Sequence, residues 1–95
     1  MSAEIKALED KIIAETQAKL DAYEQATGRK VIDSIEDSVA AGNCMPGVLQ
    51  WRARNVQGRT AVPAQEMLQV LRQSRDHVRL ACFGILKAIE NDKAK

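Results

Sequence analysis

Apolar residues recur at three- and four-residue steps through the first quarter of the chain. Ile5, Leu8, Ile12, Leu20 and Tyr23 share one face, and neither Gly nor Pro interrupts them. This spacing predicts one long helix over about residues 2–26, with Ser2 placed to cap it. The other faces carry charge, including Glu15 and Lys19 in the favoured order for an i, i+4 pair. The apolar stripe is narrow enough to serve as an oligomer seam as well as a packing face. Glu15, Thr16 and Lys19 interrupt it where a third heptad would need apolar groups.

Thr27-Gly28 supplies a helix stop, and a short second helix is expected over about 33–41 through Ile35, Val39 and Ala40. The hexapeptide Gly42-Asn43-Cys44-Met45-Pro46-Gly47 then breaks the chain, because Gly and Asn tolerate positive φ and Pro suits a first helical turn. A third helix over about 46–55 carries Val48, Leu49 and Trp51. The segment from Val56 to Val62, with Gln57-Gly58-Arg59-Thr60 at its centre, reads as a surface loop. A fourth helix over about 63–74 is the clearest amphipath: Ala64, Met67, Leu68, Val70 and Leu71 oppose Gln65, Gln69, Arg72 and Gln73. A fifth, over about 76–91, either continues the fourth or follows a bend near Ser74. Val78, Ala81, Cys82, Ile85, Leu86, Ala88 and Ile89 share one side of it, whereas Leu80 and Phe83 project to the other. Those two either fill a bundle in which this helix is central or form an exposed contact patch.

The expected fold is therefore all-α: a small bundle of four to five helices with a long N-terminal helix, residues 1–95 forming a single domain. Composition supports this. Aromatic residues make up 3% of the chain, so Ala, Leu, Ile, Val and Met must build the core, as bundles allow and sheets seldom do. A chain of 95 residues buries only about 60–65% of the surface exposed on unfolding, which makes a stabilising partner attractive. No run of about 18 apolar residues is present, so no membrane span is expected. The start Met1-Ser2-Ala3-Glu4 lacks the pattern of a secretion signal. A cytoplasmic setting follows, with Cys44 and Cys82 reduced.

The net charge of +1 hides an asymmetry. Residues 1–40 hold nine acids and five bases, whereas residues 41–79 hold six arginines and only Glu66 and Asp76 as acids. Two copies could meet acidic half to basic half, or the basic half could face nucleic acid. Arg72, Arg75 and Arg79 recur at helical spacing, and Arg59 lies in the preceding loop, so these four are the candidate phosphate contacts. Trp51 and its flanking Arg52 and Arg54, with Leu80 and Phe83, are the candidate partner-binding residues, since Trp and Arg dominate interface energetics. Trp51 serves equally well as the core aromatic.

Catalytic and metal chemistry find little support. Cys44 lies near a helix start and His77 is the only imidazole, but no oriented base or oxyanion site accompanies them. His77 and Cys82 are five residues apart and point about 140° from each other on a helix, and no CxxC or HxxxH spacing occurs. Neighbouring Glu36 and Asp37 diverge, and no Gly-rich phosphate cradle exists. The sequence thus reads as a non-enzymatic protein-binding module without metal or cofactor, acting as a homo-oligomer, an accessory subunit or an inhibitor of a larger assembly. Accessory nucleic-acid binding through the arginine row is the alternative.

Overall fold

A computed structural model describes residues 2–95, and within them the chain is an all-helical domain with one very short β pair. Helix α1 spans Ala3–Thr27. The Ser2 hydroxyl accepts from the Ile5 amide at 3.1 Å, and Gly28 closes the helix in the left-handed region at φ 70°. Strand β1 (Ile32–Ser34) leads directly into α2 (Ile35–Ala40), followed by α3 (Met45–Asn55), strand β2 (Ala61–Pro63), α4 (Ala64–Ser74) and α5 (Val78–Lys93).

The expected loop holds from Val56 to Thr60, but strand β2 takes its last residues, Ala61 and Val62, and strand β1 replaces the expected helix start at Asp33. They pair antiparallel, with Asp33 opposite Val62, and the pairing is extended by the Ile35 amide donating to Thr60 O and the Ala64 amide donating to Val31 O. Helix α2 starts only after Ser34, because Ser34 and Asp37 form a reciprocal capping box. Each strand holds three residues, too few for a period-two pattern to register. Their alternation also runs against hydropathy: Ile32 faces solvent at 47% exposure while Asp33 faces inward at 0%.

Helices α4 and α5 are separate. Arg75 and His77 both adopt left-handed backbone, at φ 57° and 51°, and this breaks the helix between them. The core lies where α1, α4 and α5 meet, around Leu20, Leu68, Leu71, Val78, Cys82 and Ile85, with Val31, Val56 and Val62 closing it from the strand side. Helix α2 crosses α5 at Gly84, where a Cβ would lie 2.9 Å from Ser38 Oγ; glycine is what permits that close approach. Among the described residues, no helix is long and apolar enough to cross a membrane.

Candidate functional site

The α2–α3 turn positions the most chemically varied part of the molecule. Gly42 takes φ 102°, which favours glycine, and the Asn43 side chain donates to Leu80 O at 3.1 Å, tying the turn to the first turn of α5. Cys44 is the N-cap of α3. Its Sγ lies 3.0 Å from the place a Cβ would occupy on Gly47, so glycine there makes room for the thiol. Between this turn, α3 and the start of α5 lies a cavity of about 500 Å³, whose walls include Val48, Trp51, Met67 and Leu80 together with Asp33 and Arg52.

Trp51 belongs to the core cluster at 7% exposure, and its indole N–H donates to Asp76 O at 2.6 Å. Arg52 is more deeply buried still, at 1%. Its guanidinium donates to Arg59 O at 3.1 Å and to Asp33 O at 3.4 Å, and lies 3.5 Å from Asp33 Oδ1. Neither side chain has surface to offer an incoming protein, which corrects their expected place as interface anchors: an indole and a guanidinium on successive helical positions both point inward because β1 and the 76–77 segment supply their polar partners. Arg54 is half-exposed and pairs with Asp76 at 2.9 Å. Leu80 and Phe83 do lie exposed, with the Arg79 guanidinium 5.5 Å from the Phe83 ring centroid.

The expected seam on α1 divides. Ile5 and Leu8 are exposed at 53% and 58%, Ile12 is half-buried against the core, and Leu20 is fully buried. Tyr23 is half-buried and donates its hydroxyl to Asp92 at 2.5 Å while accepting from Arg29 at 2.7 Å. It anchors α1 to the end of α5.

The arginine row does not lie on one continuous helix, because α4 ends at Ser74 and α5 begins only at Val78. Its members are also engaged within the chain: Arg59 with Glu66, Arg72 with Gln17 Oε1 at 3.0 Å, and Arg75 with Glu9 and Asp10. Only the Arg75 contacts pair the basic half with the acidic half; Glu66 lies within the basic half and Gln17 is uncharged.

The buried acid was missed from sequence, where Asp33 registered only as a helix start. Neither carboxylate oxygen has a partner at short hydrogen-bond distance, but Arg52 lies 3.5 Å from Oδ1 and the Ser38 hydroxyl also favours the ionised form. Burial pushes its carboxyl up to about 7; Arg52 opposes the shift and Asp37 adds to it. Partial burial pushes Asp76 up as well, but hydrogen bonds from His77, Asn55 and Arg54 outweigh it and hold that carboxyl below the usual range. Asp92 is held low by Tyr23 and Arg29.

These shifts predict a stability profile. Between about pH 4 and pH 7 the folded chain binds a proton at Asp33 that the unfolded chain has released, so stability falls as pH rises through that interval. Asp76 and Asp92 act oppositely: their contribution is present above about pH 4 and is lost as pH falls through their lowered values. Urea titration should therefore find the protein more stable near about pH 5 than near about pH 8, and Asp33→Asn should flatten the slope. Greater stability at the higher pH would contradict this account of Asp33.

No family model, curated protein or solved structure matches the chain. Among the described residues, no cluster of three or more His, Cys, Asp or Glu side chains could hold a metal ion. Function has to be argued from the geometry.

Proposed function

We propose that this chain is a small protein-binding module that pairs with a second copy of itself through the exposed end of α1. One observation carries the reading: Ile5 and Leu8, three residues apart on one face, stand in solvent at 53% and 58% exposure, while Leu20 further along the helix is sealed in the core. By helical rise α1 is about 37 Å long, whereas α5 and α4, the helices packed on it, reach about 24 Å and about 16 Å. The first turns of α1 thus outrun the body that covers the rest. Two such ends laid side by side would bury Ile5 and Leu8 of each copy, and Ile12 would extend the contact toward the body. A modest core gives such pairing a thermodynamic purpose.

This module acts by association without catalysis. A cytoplasmic setting belongs to the same proposal, supported by an exposed thiol at Cys44 that suits a reducing compartment. Nucleic-acid binding through Arg59, Arg72, Arg75 and Arg79 has no comparable observation in its favour, since three of the four have intrachain partners.

Sedimentation velocity across a wide range of concentration tests the proposal. The parent should move from monomer to dimer as concentration rises. The Ile5→Asp/Leu8→Asp variant should remain monomeric with an unchanged circular dichroism spectrum. A parent that stays monomeric throughout would refute self-association.

A further inference from the structure

Pairing through Ile5 and Leu8 alone falls short of surface. Two half-exposed side chains from each copy lie far below the roughly 1,200–2,000 Å² that a specific pair buries. An interface that starts on the end of α1 therefore has to continue onto the body.

The packing of α1 on α5 marks the direction. The two helices run side by side with the same polarity: Glu9 reaches Arg75, just ahead of α5, and Tyr23 reaches Asp92 near its end. Between these points Thr16 meets Cys82. The Glu9 and Thr16 contacts share one offset in residue number, which sets Ile13 level with Arg79. One side of the pair is open, where Lys19 and Tyr23 of α1 and Leu86 and Glu90 of α5 line a cleft. Helical periodicity carries that side back toward both helix starts, through Ile12, Leu8 and Ile5 on α1 and through Phe83 and Arg79 on α5. The exposed Phe83 thus belongs to the same face as Ile5 and Leu8.

The charges on this face lack partners. Six of the seven arginines hydrogen-bond within the chain. Among the described residues, Arg79 alone makes neither hydrogen bond nor ion pair; it stands exposed, stacked over the Phe83 ring. Glu4, exposed in the first turn of α1, likewise has no ion-pair partner among the described residues. An arginine already held against an aromatic ring loses little freedom on binding, and such residues dominate interface energetics.

We propose that a second copy packs on this α1–α5 face in antiparallel orientation, about a two-fold axis beside Leu8, with Ile5 against the partner's Ile12 and the partner's Phe83, and Glu4 paired with the partner's Arg79.

This inference rests on the self-association proposed above and assigns its geometry. Leu8 against the partner's Leu8, with the helices opposed, carries Ile5 to the partner's Ile12 and Glu4 to the level of the partner's Ile13, which is the level of Arg79. A parallel pair would set Glu4 against the partner's Glu4 and Arg79 against the partner's Arg79. Like charges disfavour that arrangement, whereas the antiparallel one satisfies both unpaired groups twice, once on each side of the axis.

Sedimentation velocity on the full-length protein, over the concentration range used for the parent, tests the geometry. Phe83→Ser, Arg79→Glu and Glu4→Arg should each raise the dimer Kd at least about tenfold, because every change acts on both halves of the interface. Glu4→Arg/Arg79→Glu should return it to within about threefold of the parent. The charge variants alter exposed groups without ion-pair partners in the subunit, so they keep the test decisive if Phe83→Ser does not fold; circular dichroism checks each. A dimer that is lost in Ile5→Asp/Leu8→Asp but unchanged in Phe83→Ser and Arg79→Glu would overturn the α5 contact and leave self-association standing. Single charge variants that weaken the dimer without recovery in the double variant would overturn the antiparallel register. A parent that stays monomeric throughout would overturn both the geometry and the reading on which it rests.

Discussion

Replacing Arg52 by methionine is expected to cost about 3–5 kcal/mol, the range for removing one partner of a buried ion pair. Arg52 sits at 1% exposure with its guanidinium spanning the floor of the α3–β1 contact. Methionine keeps the length and the apolar stem but supplies no donor. Arg59 O and Asp33 O each lose a hydrogen bond, and the Asp33 carboxylate loses the only cation near it in a site that water does not reach. For a domain of this size the loss should lower the melting temperature by more than about 10 °C. Urea unfolding of Arg52→Met against the parent measures it. A change below about 1 kcal/mol would show that the pair does not hold β1 to α3.

The double variant Asp33→Leu/Arg52→Met separates two meanings of that cost. Most of it arises from stranding a charge rather than from the attraction of the pair, so replacing both partners by apolar groups should recover a large part of the stability. The same double variant should lose the falling stability between about pH 4 and pH 7, since the group that titrates there has gone.

The helices were largely legible in the sequence. Steps of three and four residues, with Gly28 as a stop, place α1 within one residue of its observed ends, and the strong amphipathicity of residues 63–74 does the same for α4. Helix α3 resisted orientation because Met45, Val48, Leu49 and Trp51 surround it with apolar groups. Periodicity could not say that Trp51 turns inward while Met45 and Leu49 stay exposed. Two inversions were illegible for one physical reason. Arg52 and Asp33 are charged and buried, Ile32 is apolar and exposed, and each is the opposite of what its transfer free energy dictates alone. Only the pairing of β1 with β2, across 29 residues from Asp33 to Val62, brings together the groups that make these burials tolerable. The hexapeptide turn, Trp51, Arg52, Arg54 and Leu80, all singled out by the sequence, do line the cavity, whereas Asp33 lies where the local rules fail and was not legible.

Leu20→Asp is expected to abolish folding, whereas Leu8→Asp on the same helix should change stability by no more than about 0.5 kcal/mol. Leu20 has no exposed surface and belongs to the cluster that includes Leu68, Leu71 and Ile85. Truncating such a leucine alone costs about 2–5 kcal/mol. An unpaired carboxylate left in its place adds several more, and the sum is comparable to the whole stability of a small domain, which lies toward the low end of about 5–15 kcal/mol. Leu8 stands at 58% exposure, so an aspartate there stays hydrated, and near the N-terminal end of α1 it opposes no helix dipole. Far-UV circular dichroism and thermal melting distinguish the two directly: a cooperative melt in Leu20→Asp would mean that α1 is not part of the core, and a large loss in Leu8→Asp at a concentration where the parent is monomeric would mean that its outer turns are covered by the chain itself. The contrast also fixes how self-association has to be probed. A variant combining Ile12 and Leu20 would dissociate any oligomer by unfolding its subunits, so within this seam only Ile5 and Leu8, beyond the reach of α4 and α5, report on an interface alone.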